Sequence, residues 1–452
     1  MATRDRRLVI IGGVAAGMSA AARARRRDPE LEIVVYERSG YVSYGSCGLP
    51  YLIAGVVPEA ANLVVRTPEQ FAKQGIETHI HHEVRAIDIL GKTVRVRDLE
   101  EGREFSVGYD RLVVATGGAA IEPPIPGTDL EGVFVLRTVE DGVAVKEFLA
   151  ERSPVRAVII GGGYIGVEVA EAFVQRGLET TLLNRPPQVL DNLDPDMAQK
   201  MRDELERNGV RVSVDDSAQA IEGDGAGRAR AVVSSRGEYQ ADVVMIGAGV
   251  RAQSALASEA GIELGVKGAI AVDRRMRTNA PGVYAAGDCA ETHHLLLDGP
   301  SYIPLGSTAN KQGRAAGTNA AGGEEVFSGV VGTAITKAFG LGIAVTGLTE
   351  KAAQAMGRPV QAVTIEHLTR AHYYPSAGPM SVKLVWEPDG GRLLGAQMSG
   401  PVPEAKRIDV LVAALHHGLT IEDLQRLDLS YAPPFSPVWD PILVAANVAA
   451  KA

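Results

Sequence analysis

Cys47 stands in YVSYGSCGLPYLIAG, residues 41–55, and only one other cysteine, Cys289, occurs among the 452 residues. Gly45 and Ser46 precede it, and Gly48, Leu49 and Pro50 follow, a segment able to start a helix. Backbone amides and a helix dipole at that point favour the thiolate, the nucleophilic form of cysteine. The bland alternative is a small buried hydrophobe with no redox work. A second chemistry is carried by glycines. GGGYIGVE spaces Gly161, Gly163 and Gly166 as G-x-G-x-x-G, which lets a pyrophosphate approach the backbone at a helix N-terminus. An earlier copy, GGVAAG, keeps Gly12 and Gly17 but has Val14 in the middle place, so alone it also reads as a structural turn.

Both turns sit in the same order of elements. RLVIIGGVAAGMSAAARARRRDPELEIVVYER runs strand, glycine turn, Ala-rich helix, strand, then Glu37 and Arg38; VRAVIIGGGYIGVEVAEAFVQRGLETTLLNR repeats it and ends on Asn184 and Arg185. Two further strands end in small residues: YDRLVVATGG delivers Ala115, Thr116 and Gly117, and PGVYAAGDCAE delivers Gly287 and Asp288. Small residues there let a cofactor lie on the backbone, and a carboxylate can hold a ribityl hydroxyl. ADVVMIGAGV repeats the strand and glycine theme with Gly247 and Gly249. The fold class that follows is α/β, with two nested Rossmann-like dinucleotide-binding domains and a C-terminal α+β dimerisation domain. The expected boundaries are 1–150 and 276–330 for the first nucleotide domain, 151–275 for the second, and 331–452 for the last, whose runs read as strands with a hairpin turn at Pro388–Gly391.

A net charge of −9 argues against a nucleic-acid partner. The first apolar run is short and ends in glycines, so it reads as a strand rather than a signal peptide, no stretch is long enough to span a membrane, and a cytoplasmic location is expected. The two cysteines form neither a disulfide framework nor a zinc spacing, and the histidines lack ligand-like companions, so no metal is expected. Cys289 is expected to pack at a helix start without redox work.

Taken together, the nested nucleotide folds, GDCAE and the C-terminal unit resemble the pyridine nucleotide-disulfide oxidoreductases. SYGSCGLPY resembles their single-cysteine branch, which includes coenzyme A-disulfide reductases, persulfide reductases, NADH oxidases and NADH peroxidases. The resemblance implies that the first domain holds FAD on Gly12, Gly17, Glu37, Arg38, Ser46, Ala115, Thr116, Gly117, Gly287 and Asp288. The second would hold NAD(P)H on Gly161, Gly163, Ile165, Gly166, Asn184, Arg185, Gly247 and Gly249, with Tyr164 and Glu168 near the nicotinamide. An acid where Asn184 and Arg185 stand would favour NADH; these two lean towards NADPH or both nucleotides.

Branch members that reduce oxygen or peroxide carry a histidine in the first glycine turn, where this chain has Ala15. The Ala-rich turn followed by basic residues resembles the coenzyme A enzymes instead. That resemblance makes Arg23, Arg26, Ser43, Arg66, Asn310 and Arg314 candidates to bind CoA, with Lys311 a further one; a solvated helix end is the ordinary reading of RARRR. It also implies that Tyr431, Tyr373 and Tyr374 of a partner subunit reach the cysteine of the first, making the homodimer part of the catalyst. Interface packing is the plain alternative for these aromatics, as for Phe435 and Trp439. The expected function is NAD(P)H-driven, FAD-dependent reduction of CoA disulfide, CoA persulfide or a related sulfur compound through a Cys47–CoA mixed disulfide. An oxidase or peroxidase cycling Cys47 through sulfenic acid, and a flavin-based redox sensor or electron-transfer protein, are the alternatives.

Overall fold

A computed structural model describes residues 6–297 and 299–451. Two compact units emerge, each discontinuous in sequence: Met1–Ile121, Val135–Glu151 and Gly249–Val330 form one, and Glu122–Phe134, Arg152–Ala248 and Val331–Ala452 the other. The chain returns to the first unit at residue 249. Strand Val250–Ala252 draws the chain back by pairing antiparallel with Gly118–Ala120. Residues 331–452 and 152–248 fall in the same compact unit.

In the first unit, Arg7–Ile11 lies between Glu32–Tyr36 and Arg111–Val114, parallel to both, with Val283–Ala285 and Ile76–His79 at the edges. RLVII is a nearly continuous apolar run because both faces of its sheet are covered. Leu8, Ile10 and Ile33 face one core cluster and Val9, Leu112 and Val114 the other. Each such fully buried side chain contributes about 1.5–3 kcal/mol. Two helices, Ala15–Arg27 and Gly306–Ala320, pack almost backbone to backbone. A Cβ at Gly313 would lie 2.2 Å from the Ala16 carbonyl oxygen, and one at Gly317 2.2 Å from that of Ala20.

The second unit holds a five-stranded sheet centred on Arg156–Ile160, which runs parallel to Glu179–Asn184 and to Val243–Ile246. A three-stranded meander, Ala218–Gly223, Ala229–Ser234 and Glu238–Gln240, and a five-stranded antiparallel sheet from residues 334–401 complete it. Buried Lys383 of the latter sheet places Nζ 3.2 Å from Asp194, 3.1 Å from Asp196 and 2.9 Å from Glu350. Burial alone would lower its pKa, but the carboxylates overrule that and raise it. Among the described residues no helix is long and apolar enough to cross a membrane, and no group of three or more His, Cys, Asp or Glu side chains could hold a metal ion.

Candidate active site

The first glycine turn is a cradle that side chains would destroy. Gly12 has φ +102°, and a Cβ on it would lie 2.2 Å from the Ala115 carbonyl oxygen; one on Gly17 would lie 1.8 Å from the Gly12 carbonyl oxygen. The Gly12 N–H donates to the Tyr36 carbonyl at 2.8 Å. Buried Glu37 accepts from the Gly13 N–H at 2.7 Å and from the Ser39 N–H at 2.9 Å. The Ala15–Arg27 helix starts without a side-chain cap or an acid in its first turn, leaving its amides for an anion.

A cavity of about 510 Å³ opens on this turn, lined by Gly12, Glu37, Arg38 and Thr116 and also by His82 and Gln253. Gln253 was not legible as a site residue. Its backbone carbonyl accepts from Thr116 Oγ1 at 2.6 Å, its N–H donates to Gly117 at 3.0 Å, and its side-chain oxygen accepts from Arg38 at 3.3 Å. Asp288 is bound by Arg137 at 2.6 Å, and Arg137 also donates to the Gly118 carbonyl. Gly287, at φ +85°, puts its missing Cβ 2.8 Å from that of Ala16. The residues therefore fit a dinucleotide: an uncapped helix start for phosphate, a buried carboxylate for ribose, and backbone left bare on both sides.

Cys47 is exposed, in a short turn of 3₁₀ helix, Ser46–Gly48, that leads into the helix Leu49–Ala54. Ser43, at φ +50°, donates its N–H to the Gly13 carbonyl at 2.8 Å, and Gly45 donates to Leu63 at 2.9 Å. The cysteine loop is thus stitched to the glycine turn by backbone bonds. Gly48 serves packing, since a Cβ there would lie 2.3 Å from Leu63 Cδ2. Cys289 is buried in a turn after Val283–Ala285, with Sγ 3.4 Å from the Val114 and Ala286 carbonyls. This corrects the expected helix start: a hairpin, Thr292–His294 with Gly299–Ser301, comes before the next helix. Burial pushes its thiol pKa up.

Of the six CoA candidates, the helix crossing brings Arg23, Asn310 and Arg314 onto one seam. Ser19 Oγ donates to Asn310 Oδ1 at 2.6 Å, while Arg23 donates to Thr318 Oγ1 at 2.9 Å and pairs with Glu325 at 3.3 Å. Arg314 and Arg26 are exposed, and Arg66, the residue after the Ser43–Val65 backbone bond, lies over the Phe71 ring at 5.9 Å.

The second turn repeats the first. A Cβ on Gly161 would lie 2.3 Å from the Gly247 carbonyl oxygen and one on Gly166 1.9 Å from that of Gly161, whereas nothing lies within 4 Å of a Cβ on Gly163. Gly163 caps the helix Tyr164–Gln175, which has neither a side-chain cap nor an acid in its first turn. Ile165 lies in that turn and Arg185 is exposed. Gly249, at φ +117°, donates no side chain and accepts the Ile121 N–H at 2.9 Å. Tyr164 OH accepts from Asn192 at 2.7 Å, and Glu168 accepts from Thr336 Oγ1 at 2.8 Å. Burial raises the Glu168 pKa; Thr336 opposes this.

Tyr373 and Tyr431 come together, and their hydrogen bond holds the Tyr431 phenol above its ordinary pKa. Both are exposed, with Phe435, Val438 and Trp439 also exposed nearby in sequence; Tyr374 is half-buried and its N–H donates to Ala371. So much apolar surface suits an interface.

Residues 6–313 match the family model of the pyridine nucleotide-disulphide oxidoreductases, and residues 333–441 match that family's dimerisation domain. An NAD(P)H coenzyme A polysulfide/persulfide reductase of Pyrococcus horikoshii is 40% identical, over 98% of both chains. An NADH oxidase of Methanocaldococcus jannaschii is 35% identical, over 98% of this chain and 99% of its own. The solved NAD-dependent persulfide reductase from A. fulgidus superposes with a TM-score of 0.95 at 40% identity, covering 98% of this chain and 83% of its own. The chain belongs to the pyridine nucleotide-disulphide oxidoreductases.

Proposed function

We propose that the protein is a homodimeric, FAD-dependent NAD(P)H oxidoreductase that reduces CoA disulfide, CoA persulfide or a related low-molecular-weight disulfide or polysulfide. The observation that carries this reading is the placement of exposed Cys47 on a loop bonded through Ser43 to the Gly13 carbonyl, in the turn built for a dinucleotide. Similarity over nearly the whole chain to an enzyme named for CoA polysulfide and persulfide supports it.

When bound, FAD supplies a two-electron relay from nicotinamide to sulfur. Glu37 and the amides after Gly12 would hold it, and the turn at Gly161–Gly166 would hold NAD(P)H. The Cys47 thiolate attacks one sulfur of CoA disulfide, forms a mixed disulfide and displaces one CoA thiolate. The electron pair that entered as hydride then breaks the Cys47–CoA bond, giving the second CoA thiolate and restoring the Cys47 thiolate. One NAD(P)H and one proton thereby convert one disulfide into two thiols. Tyr431 of the second subunit supplies the proton to the leaving thiolate, with Tyr373 as its hydrogen-bond partner and Tyr374 beside it. Arg23, Arg26, Ser43, Arg66, Asn310 and Arg314 hold the CoA nucleotide, and Arg23 exchanges Glu325 for a phosphate to do so.

The test is turnover of CoA disulfide and CoA persulfide by the holoenzyme and by Cys47→Ser. The substitution abolishes both rates; if both survive, Cys47 is not the redox centre. The similarity to an NADH oxidase favours oxygen reduction as the second reading. Ala15 offers no proton donor to a sulfenic-acid cycle there, and rapid NADH-driven oxygen uptake without CoA would favour the oxidase.

A further inference from the structure

Asn184 stands where a residue reading the 2′-substituent of the adenine ribose is expected, yet its side chain is already committed. Oδ1 accepts from Gly162 at 2.8 Å, and Nδ2 donates to the carbonyls of Gln188 at 2.7 Å and Pro186 at 3.3 Å. Whatever reads the 2′-position must come from elsewhere on this edge of the sheet.

We infer that Arg236, on the turn between two meander strands, joins Arg185 in a clamp for the 2′-phosphate of NADPH, with Asp215 beside it limiting the preference over NADH. This rests on the reading of the Gly161–Gly166 turn as the NAD(P)H site.

Backbone bonds bring these residues to one edge. Asp215 donates its N–H to the Pro186 carbonyl at 3.1 Å and Asp216 to that of Asn184 at 3.0 Å. The Asp216 carboxylate, 1% exposed, then gathers the meander turn onto the strand end. It accepts from Ser213 Oγ at 2.8 Å, Tyr239 OH at 2.8 Å, Ser235 Oγ at 3.1 Å and the Arg236 N–H at 3.2 Å. Arg236 Nε donates to the Asp215 carbonyl at 3.1 Å, which fixes one edge of the guanidinium. Its terminal nitrogen lies 3.8 Å from the Asp215 carboxylate, with both side chains more than half exposed. That is too long for a tight hydrogen-bonded pair, so a phosphate can compete for the fork. Arg185 is exposed and makes no ion pair among the described residues. Two guanidinium groups on one edge match a phosphate dianion. Asp215 repels that dianion and suits a 2′-hydroxyl, the substituent of NADH.

The experiment titrates holoenzyme calorimetrically with 2′,5′-ADP and with 5′-AMP at low salt, without any sulfur acceptor. Wild type binds 2′,5′-ADP about tenfold or more tighter than 5′-AMP, as a charge-assisted contact requires. Arg236→Ala lowers that ratio by roughly tenfold while 5′-AMP affinity stays within about twofold. Arg236→Lys recovers part of the ratio, and Asp215→Asn raises it. An unchanged ratio in Arg236→Ala, or equal loss of both ligands from a variant with the wild-type melting temperature, overturns the clamp and leaves the nucleotide site standing. Failure of both ligands to bind wild type overturns the nucleotide-site reading itself.

Discussion

Glu37 and Asn184 close their glycine turns with the same hydrogen bond: Gly13 donates to Glu37 at 2.7 Å, and Gly162 donates to Asn184 at 2.8 Å. They differ in what remains. The carboxylate has unused lone pairs for ribose hydroxyls and a charge that repels a 2′-phosphate. The carboxamide has spent both N–H groups on Pro186 and Gln188 and carries no charge. One backbone device thus closes both turns, leaving a charge at the end of the first and none at the end of the second.

Glu37→Gln removes the charge and cannot accept from Gly13 and Ser39 with both side-chain ends. Charge-assisted bonds to a buried carboxylate are worth about 1.5–3 kcal/mol, so flavin affinity falls by roughly tenfold or more. Flavin content of purified protein and its release on dilution report the loss. Full retention would show that Glu37 only shapes the turn.

The glycines of the second turn separate folding from binding. Gly161→Ala forces a Cβ to 2.3 Å from a backbone oxygen at φ +117°, and the melting temperature drops by several degrees, the order set by a cost of about 2 kcal/mol or more. Gly163→Ala meets nothing within 4 Å, so the protein folds as before while KM for NAD(P)H rises. An unchanged KM would take the nucleotide away from Gly163.

Glu168 gives a pH dependence of definite sign. Burial raises its folded-state pKa, so just above the ordinary glutamate range the folded chain keeps a proton that the unfolded chain has lost. Unfolding free energy therefore falls as pH rises through that window and stays lower above it. Glu168→Gln is neutral throughout and keeps an oxygen for Thr336. The melting temperature of the variant relative to wild type climbs from acid to neutral pH; a flat difference contradicts the raised pKa.

Much of this architecture was legible because its signals are local. RLVII and VRAVII read as buried parallel strands from their apolar runs, and the glycine spacing located both turns even with Val14 in the first. Gln253, Arg137 and His82 left no such signal. Gln253 reaches the first turn only because Val250–Ala252 pairs with Gly118–Ala120, and Arg137 reaches Asp288 from the other side of the inserted segment. The histidines lack ligand-like companions in sequence, and His79 stacks on Tyr36 at 5.2 Å because the pairing of Ile76–His79 with Glu32–Tyr36 sets the two residues opposite each other, while His82, three residues on, packs 5.1 Å from His79. Cys289 was misplaced for a related reason: GDCAE resembles a strand followed by a helix, while the intervening hairpin is fixed by pairing at Thr292–Ser301.

The central claim is that the second half of the redox pair arrives with the substrate. Intact-protein mass measurement under non-reducing conditions, after incubation with CoA disulfide, tests it most directly. Wild type gains the mass of one CoA per chain on Cys47, NAD(P)H removes it, and Cys47→Ser never acquires it. A single added oxygen on Cys47, or a chain unmodified by CoA disulfide, would contradict the account.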